Sequence, residues 1–374
     1  MEFRSQLHTQ GSRPGLFLFR PFGAIRFFLT TFASAVRDFL LRMPIPPDVS
    51  IVIPTWKGRH LLEAYLPSVL AAAEQYRRQT CSQTQIIIVE DGSGDDTLQW
   101  LTRRYGGQVS VIEHDRNLGF AAACNSGFRA ASHPVALLLN NDVRLREDCV
   151  EPMVAHFVDH QVFAVTGKLF NQKGDQFCNG GKVARFRRGM WSSFQNYDLP
   201  AGVKPDCPLL SFTAIGAFSA YDRVKFLEVG GFESLTSLVE DIDLSYRGWK
   251  RGWSIHYEPR SVAFHDASQT MGARYEKKSL DSLSRRSRLI MHWMLLHDAI
   301  MFRRHLLALA GRLLVSWLAL DWRFYFGIFS SLSHLGHILE TRRVTRQTMV
   351  RSDRELLDLL ERFYRTAPIT LIDD

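Results

Sequence analysis

Long uncharged apolar runs are missing from this sequence. Between residues 285 and 337 apolar side chains recur at helical spacing, but Arg303, Arg304, Arg312, Asp321 and Arg323 interrupt them, and a spanning helix needs about 20 consecutive apolar residues. Paired cysteines are missing too. Cys81, Cys124, Cys149, Cys178 and Cys207 are odd in number and never fall in a CxxC pair, which argues against a thiolate zinc site and suits reduced thiols of a cytosolic protein. Neither an internal repeat nor a low-complexity tract occurs. Acidic residues are scarce at both flanks: residues 1–47 carry six Arg against Glu2 and Asp38, and residues 285–347 carry ten Arg against Asp298, Asp321 and Glu340. The net charge of +8 therefore sits on the flanks, and the middle is mildly acidic. Basic flanks rich in Phe, Leu and Trp suit an anionic membrane face; nucleic acid calls for a basic stripe on the folded domain itself and is not an expected partner.

What is present is enough for a sizeable core. The chain has 374 residues, 46% of them hydrophobic and 22% charged, an ordinary globular balance. The 26 Phe and 8 Trp are many for a purely soluble protein, so some apolar surface is expected to face outward. Residues 15–43 read as an Arg-bearing amphipathic helix. The apolar stretch 15–35 within it ends in Ala33-Ser34-Ala35, which resembles a signal-peptidase site, but Arg20, Pro21 and Arg26 break the apolar run that a secretion signal needs. Pro44-Ile45-Pro46-Pro47 stops the helix, because proline lacks the amide hydrogen and clashes with the preceding turn.

From residue 49 the texture changes to short β-branched runs alternating with helical patterns. Strands are expected over 49–53, 86–89, 109–113, 135–139 and 163–168, and helices over 61–76, 97–105 and 121–131. This βαβ rhythm implies an α/β fold with a mostly parallel sheet covered by helices on both faces. Residues 171–207 show no clear period and are expected to form loops and a ribbon over the site. In open α/β sheets ligands sit beyond the carboxyl ends of the strands. Those ends read Pro54-Thr55-Trp56, Glu90-Asp91-Gly92-Ser93 and Asn140-Asn141-Asp142. A carboxylate there can accept hydrogen bonds from a base or ribose, although Glu90-Asp91 would serve equally well as a helix cap and turn. No GxGxxG follows Ile53, which argues against a dinucleotide enzyme.

Two further segments decide the reading: Arg116-Asn117-Leu118-Gly119-Phe120-Ala121-Ala122-Ala123-Cys124-Asn125 and Val239-Glu240-Asp241-Ile242-Asp243-Leu244-Ser245-Tyr246-Arg247. With the strand ends, they closely resemble the family 2 inverting glycosyltransferases of the GT-A fold, and within them the bacterial rhamnosyl- and galactofuranosyltransferase-like members. The resemblance spans roughly residues 49–270 in order, and co-ordered motifs are far more specific than any one of them. It implies a Rossmann-like domain over residues 48–275. An N-terminal amphipathic segment over 1–47 and a C-terminal helical extension over 276–374 would flank it, either lying on a membrane or packing as ordinary helices.

The resemblance also implies roles. Asp142 matches the second acid of the family's DxD motif and becomes a metal ligand, with Asn140 standing where the first acid is usual. His265 matches a histidine that ligates the same divalent cation, Mg²⁺ or Mn²⁺; by itself it would read as structural. Pro54, Thr55 and Asp91 match nucleotide-holding positions, as do Arg116, Gly119 and Asn125 of the following loop; Glu90 stands among them where an Asp is more usual, and Asn140 and Asn141 lie beside them. Gly119 would permit close backbone approach. Inversion needs one direct displacement, so the acceptor hydroxyl must lose a proton as it attacks. The resemblance makes Asp241 the base, with Glu240 beside it, while a capping cluster that favours the helix dipole is the plainer alternative. Arg247 suits a salt bridge to Asp243, and Trp249 and Trp253 suit either sugar stacking or core packing.

The expected partners are a nucleotide-diphosphate sugar, dTDP- or UDP-linked with rhamnose preferred, a glycan or lipid-linked acceptor of envelope or exopolysaccharide synthesis, and the cytoplasmic face of a membrane. A catalytically silent membrane-associated carbohydrate-binding or scaffold protein is the alternative, supported by Asn140 alone.

Overall fold

The computed structural model describes residues 46–265 and 277–372; the helix expected over residues 15–43 lies outside them. The first half follows the alternation expected. Strand β1 (Val49–Thr55), helix α1 (Arg59–Thr80), β2 (Thr84–Glu90), α2 (Thr97–Tyr105), β3 (Ser110–Glu113), α3 (Phe120–Ala130) and β4 (Val135–Leu139) succeed one another. Every residue of β1 and β4 is buried, because helices cover both sheet faces and leave no room for a polar alternation. Strands β1, β2 and β3 are parallel neighbours, and β4 pairs with the other edge of β1. The chain therefore leaves β1 in both directions, which opens a crevice at the carboxyl ends of β1 and β4.

Beyond β4 the pattern departs from a purely parallel sheet. There follow β5 (Val143–Leu145), α4 (Val150–Val154), β6 (Val162–Asn171), β7 (Phe177–Asn179), β8 (Gly181–Arg187), β9 (Met190–Asp198), β10 (Leu209–Leu210), β11 (Phe218–Asp222), α5 (Arg223–Glu228), α6 (Glu240–Lys250) and β12 (Ser254–His265). The ten-stranded sheet runs β10-β12-β6-β11-β4-β1-β2-β3, with β5 on β12 and β7 on β6. Strand β11 runs antiparallel between β4 and β6. Its amino end, not its carboxyl end, thus lies at the rim where β4 finishes, and this brings residues 214–217 to the crevice. The stretch over 171–207 does contain a ribbon: β8 and β9 pair antiparallel, and β13 (Thr370–Ile372) joins them as a second, three-stranded sheet.

The last part is helical: α7 (Lys277–Leu295), α8 (Ala299–Leu318), α9 (Trp322–Leu332), α10 (Leu335–Thr348) and α11 (Asp353–Thr366). None of the described helices is long and apolar enough to cross a membrane. The described residues form one compact unit, and buried charge anchors these helices to the sheet domain. Asp353, at the start of α11, is 1% exposed. It pairs with Lys250 of α6, accepts the Tyr246 hydroxyl, and accepts the amides of His297 and Asp298 at 2.6 and 2.7 Å. With all these donors present a buried carboxylate is tolerable; removing one partner of such a pair costs about 3–5 kcal/mol.

Candidate active site

A chain of contacts links the carboxyl rim of the sheet from Asp91 to Asp241. Asp91 follows β2, and its amide donates to Thr55 O at 2.9 Å. Thr55 Oγ1 accepts from Asn141 Nδ2 at 2.8 Å. Beside it the Asn140 amide donates to Ala217 O at 3.0 Å. A methyl carbon built on the adjoining Gly216 would lie 3.9 Å from Asp241 Cβ. Residues 91, 142 and 241 are thus gathered at one rim by strand ends that are neighbours in the sheet, although they are far apart in sequence.

On the nucleotide side, Asp91 organises the loop it was expected to share with a ligand. Its carboxylate accepts from the amides of Leu118 and Gly119 at 2.9 Å each and from His114 Nδ1 at 2.7 Å, and His114 Nε2 lies 3.0 Å from Ser126 Oγ. Sequence reasoning missed His114, a lone histidine after a short strand with no motif around it. Gly92 is required by this geometry: its φ is +65°, and a Cβ there would fall 2.2 Å from the Arg116 carbonyl carbon. Gly119 is required by its own φ of +91°, which L side chains rarely adopt, and open space lies where a Cβ would stand. Arg116 is exposed on this loop. Pro54, at the buried end of β1, pairs in register with Val89.

Two of the expected contacts are internal. The Glu90 carboxylate accepts from the Ser93 amide at 2.9 Å and from the Ser93 hydroxyl, the turn-forming role left open for it. Asn125 joins α3 to the turn before α6: Nδ2 donates to Phe232 O at 2.9 Å and Oδ1 accepts from Phe232 N at 2.8 Å. Both ends of its amide are engaged, so Asn125 braces the wall of the crevice.

The two candidate metal ligands meet. Strand β5 pairs with the end of β12 in a register that sets His265 opposite Val143. His265 Nε2 consequently lies 3.2 Å from Asp142 Oδ1, with Asp142 almost fully buried. One carboxylate oxygen and one imidazole nitrogen make a donor pair that suits Mg²⁺ or Mn²⁺ when diphosphate oxygens and water complete the shell. Among the described residues, no third His, Cys, Asp or Glu joins them.

Glu240 and Asp241 open helix α6. The N-cap position, Val239, offers no side-chain cap, and acids in a first turn complement the helix dipole. Burial, and then the charge of Asp241, pushes the Glu240 carboxyl up to about 7; its Oε2 is buried with no hydrogen-bond partner among the described residues. Burial also raises the Asp241 carboxyl, opposed by the Ile242 amide, which donates to its Oδ1 at 2.7 Å, and by the Lys182 ammonium. Arg288 of α7 also feels the Asp241 charge. Lys182 and Arg288 were not foreseen, because one sits in the stretch without periodicity and the other in a basic run read as membrane-facing. Buried Cys124 senses both Glu240 and Asp91, further evidence that these acids share one neighbourhood. Asp243 and Arg247 form a buried ion pair, with Arg247 also donating to Gly231 O at 2.7 Å. Trp249 is fully buried in the core, with Nε1 donating to Phe212 O at 2.9 Å, and the partly buried Trp253 packs against that core, stacking on Phe163 at 5.6 Å.

Comparison with known proteins agrees with this architecture. Residues 50–226 match Glycosyl transferase family 2. The pre-mycofactocin glycosyltransferase of Mycobacterium tuberculosis (strain CDC 1551 / Oshkosh) is 25% identical over 246 residues, covering 63% of this chain and 47% of that protein. The poly-beta-1,6-N-acetyl-D-glucosamine synthase of Staphylococcus aureus (strain COL) is 22% identical over 266 residues, 68% of this chain and 59% of that protein. The chain thus spans about half the length of the curated relatives it matches. Among solved structures, GalNAc-T7 with UDP, GalNAc and Mn²⁺ superposes with a TM-score of 0.51 at 18% identity, covering 68% of this chain and 48% of that one. Residues 50–226, just under half of this chain, thus resemble glycosyl transferase family 2, and the described residues build a GT-A fold.

Proposed function

We propose that the protein is an inverting glycosyltransferase that moves a sugar from a dTDP- or UDP-sugar, with rhamnose the preferred sugar, to a hydroxyl of a glycan or lipid-linked acceptor in envelope or exopolysaccharide synthesis. The observation that carries the reading is the convergence of Asp91, the Asp142–His265 pair and the Glu240–Asp241 pair on one rim. The nucleotide lies along Pro54, Thr55, the Asp91-braced loop with Arg116 and Gly119, and Asn140 and Asn141. Asp142 and His265 hold a divalent cation, which supplies neutralisation of the charge that develops on the leaving diphosphate.

Two adjacent carboxyls with different environments can take different protonation states. Glu240, pushed up to about 7, is partly protonated near neutrality and relieves the repulsion on its neighbour. Burial raises the Asp241 carboxyl, opposed by the Lys182 ammonium, which strengthens it as a base; in its ionised form it accepts the acceptor's proton as the new bond forms. Surface attachment at the cytoplasmic face of a membrane would bring the site to a lipid-linked acceptor.

The testing experiment is a thermal-shift panel of nucleotide sugars on purified protein with Mn²⁺, followed by donor hydrolysis with and without EDTA. A true donor stabilises the fold by mass action, about 2.7 kcal/mol at a hundredfold excess over Kd. No stabilisation by any nucleotide sugar, or no donor hydrolysis with or without EDTA, would overturn the proposal and favour the silent binding protein that Asn140 suggests; hydrolysis indifferent to EDTA would remove the metal from it.

A further inference from the structure

Helices α8 and α9 carry apolar surface that no described residue covers. Leu314, Val315, Leu318, Leu320, Phe326 and Phe329 are each at least 63% exposed. Trp317 and Trp322 meet edge to face at 5.7 Å across the turn between the helices, and each is more than half exposed. Single exposed apolar side chains are ordinary. A run of them on two successive helices and their joining turn marks an interaction surface.

Beside this surface, between α7 and α9, lies a cleft of about 60 Å³ lined by Asp281, Ser282, Arg285, Arg286, Leu289 and Phe324. Arg285 makes a long ion pair with Asp321 at 3.7 Å. Arg286 donates to His334 Nε2 at 2.9 Å, and its buried Nε has no hydrogen-bond partner among the described residues. Among the described residues no carboxylate pairs with its guanidinium. Arg312 lies over the ring of Phe324 at 5.2 Å, adding a third cation beside the cleft. A half-buried guanidinium without a counter-ion is costly until an anion completes it.

We propose that the α8–α9 face docks on a lipid bilayer and that Arg285 and Arg286 take the phosphate of an anionic lipid headgroup in the α7–α9 cleft. Charge selects this occupant. Residues 285–347 hold ten Arg against three acids, so a second copy of the same face would be repelled. An anionic bilayer offers both an apolar interior and the missing negative charge, and tryptophans favour its headgroup level. The use of this surface rests on the transferase reading: α7 also carries Arg288 to the neighbourhood of Asp241, so one helix would connect the bilayer to the site of transfer.

The test is co-sedimentation of the full chain with phosphatidylcholine vesicles and with vesicles containing phosphatidylglycerol, using the wild type, R285A/R286A and F326S/F329S. Folding of each variant is checked by its melting curve. The wild type should prefer the anionic vesicles. R285A/R286A should lose that preference, about fivefold per arginine, and F326S/F329S should weaken binding to both vesicle types, about tenfold per ring. Undiminished vesicle binding in both variants would overturn the proposal, as would a wild-type dimer that F326S/F329S dissociates and that binds no vesicles. Equal stabilisation of the wild type by inorganic phosphate and by vesicles would mark a free-anion site and overturn it too. Sugar transfer by the wild type to a soluble acceptor is scored separately: vesicle binding without transfer refutes the transferase and leaves the surface standing, and transfer without vesicle binding does the reverse.

Discussion

Replacing Glu240 by glutamine should change how stability depends on pH, by an amount that follows from the site. The carboxyl titrates near 7 in the folded protein against an ordinary 4.5. Between those values the folded state binds the proton that the unfolded chain has released, so stability falls as pH rises. The contribution of Glu240 is neutral below the ordinary value and reaches its full destabilising size above about pH 7, roughly 3 kcal/mol at 1.36 kcal/mol per unit. Glu240→Gln cannot release a proton and escapes that loss. Its amide stands where Oε2 already lacks a partner, and any cost of that is the same at every pH. The readout is therefore the difference between variant and wild type in urea unfolding, measured at about pH 5 and about pH 8. It should move in favour of the variant by about 2–3 kcal/mol on going to the higher pH. A difference that stays constant, or moves the other way, would show that Glu240 is an ordinary solvated acid and that the repulsion assigned to the Glu240–Asp241 pair is absent.

His265→Ala and Asp142→Asn should each abolish the Mn²⁺-dependent part of donor stabilisation in a thermal-shift assay, and EDTA should do the same to the wild type. Retention of metal dependence in both variants would remove the pair from the metal site. Asn125→Ala should lower stability by about 1–3 kcal/mol through loss of two hydrogen bonds, and a fall in donor affinity without a fall in stability would instead make Asn125 a nucleotide contact.

Much of the first half was legible because burial on both faces writes itself as β-branched runs. Strand β4 and helix α2 fall on the residues expected, and β1, β2 and α3 differ by one or two residues at their ends. The antiparallel insertion of β11 was not legible, since a strand's direction is set by which neighbour it pairs with and not by its own periodicity. The pairing of Thr370 with Asp198 joins segments with nothing local in common. In the site, the acids at strand ends were readable as motifs, whereas Lys182 and Arg288 reach Asp241 only through tertiary packing. Asn125 shows the opposite case, a motif residue with both hydrogen-bonding ends engaged across the fold.

The claim that matters most is that Asp241 accepts the acceptor's proton in a site whose donor pocket is built by other residues. Asp241→Asn tests it directly, with donor stabilisation and sugar transfer measured on the same preparation. Donor-induced stabilisation should match the wild type while transfer falls by about 10²–10⁴, the usual contribution of a general base. Turnover at the wild-type rate in that variant would contradict the account.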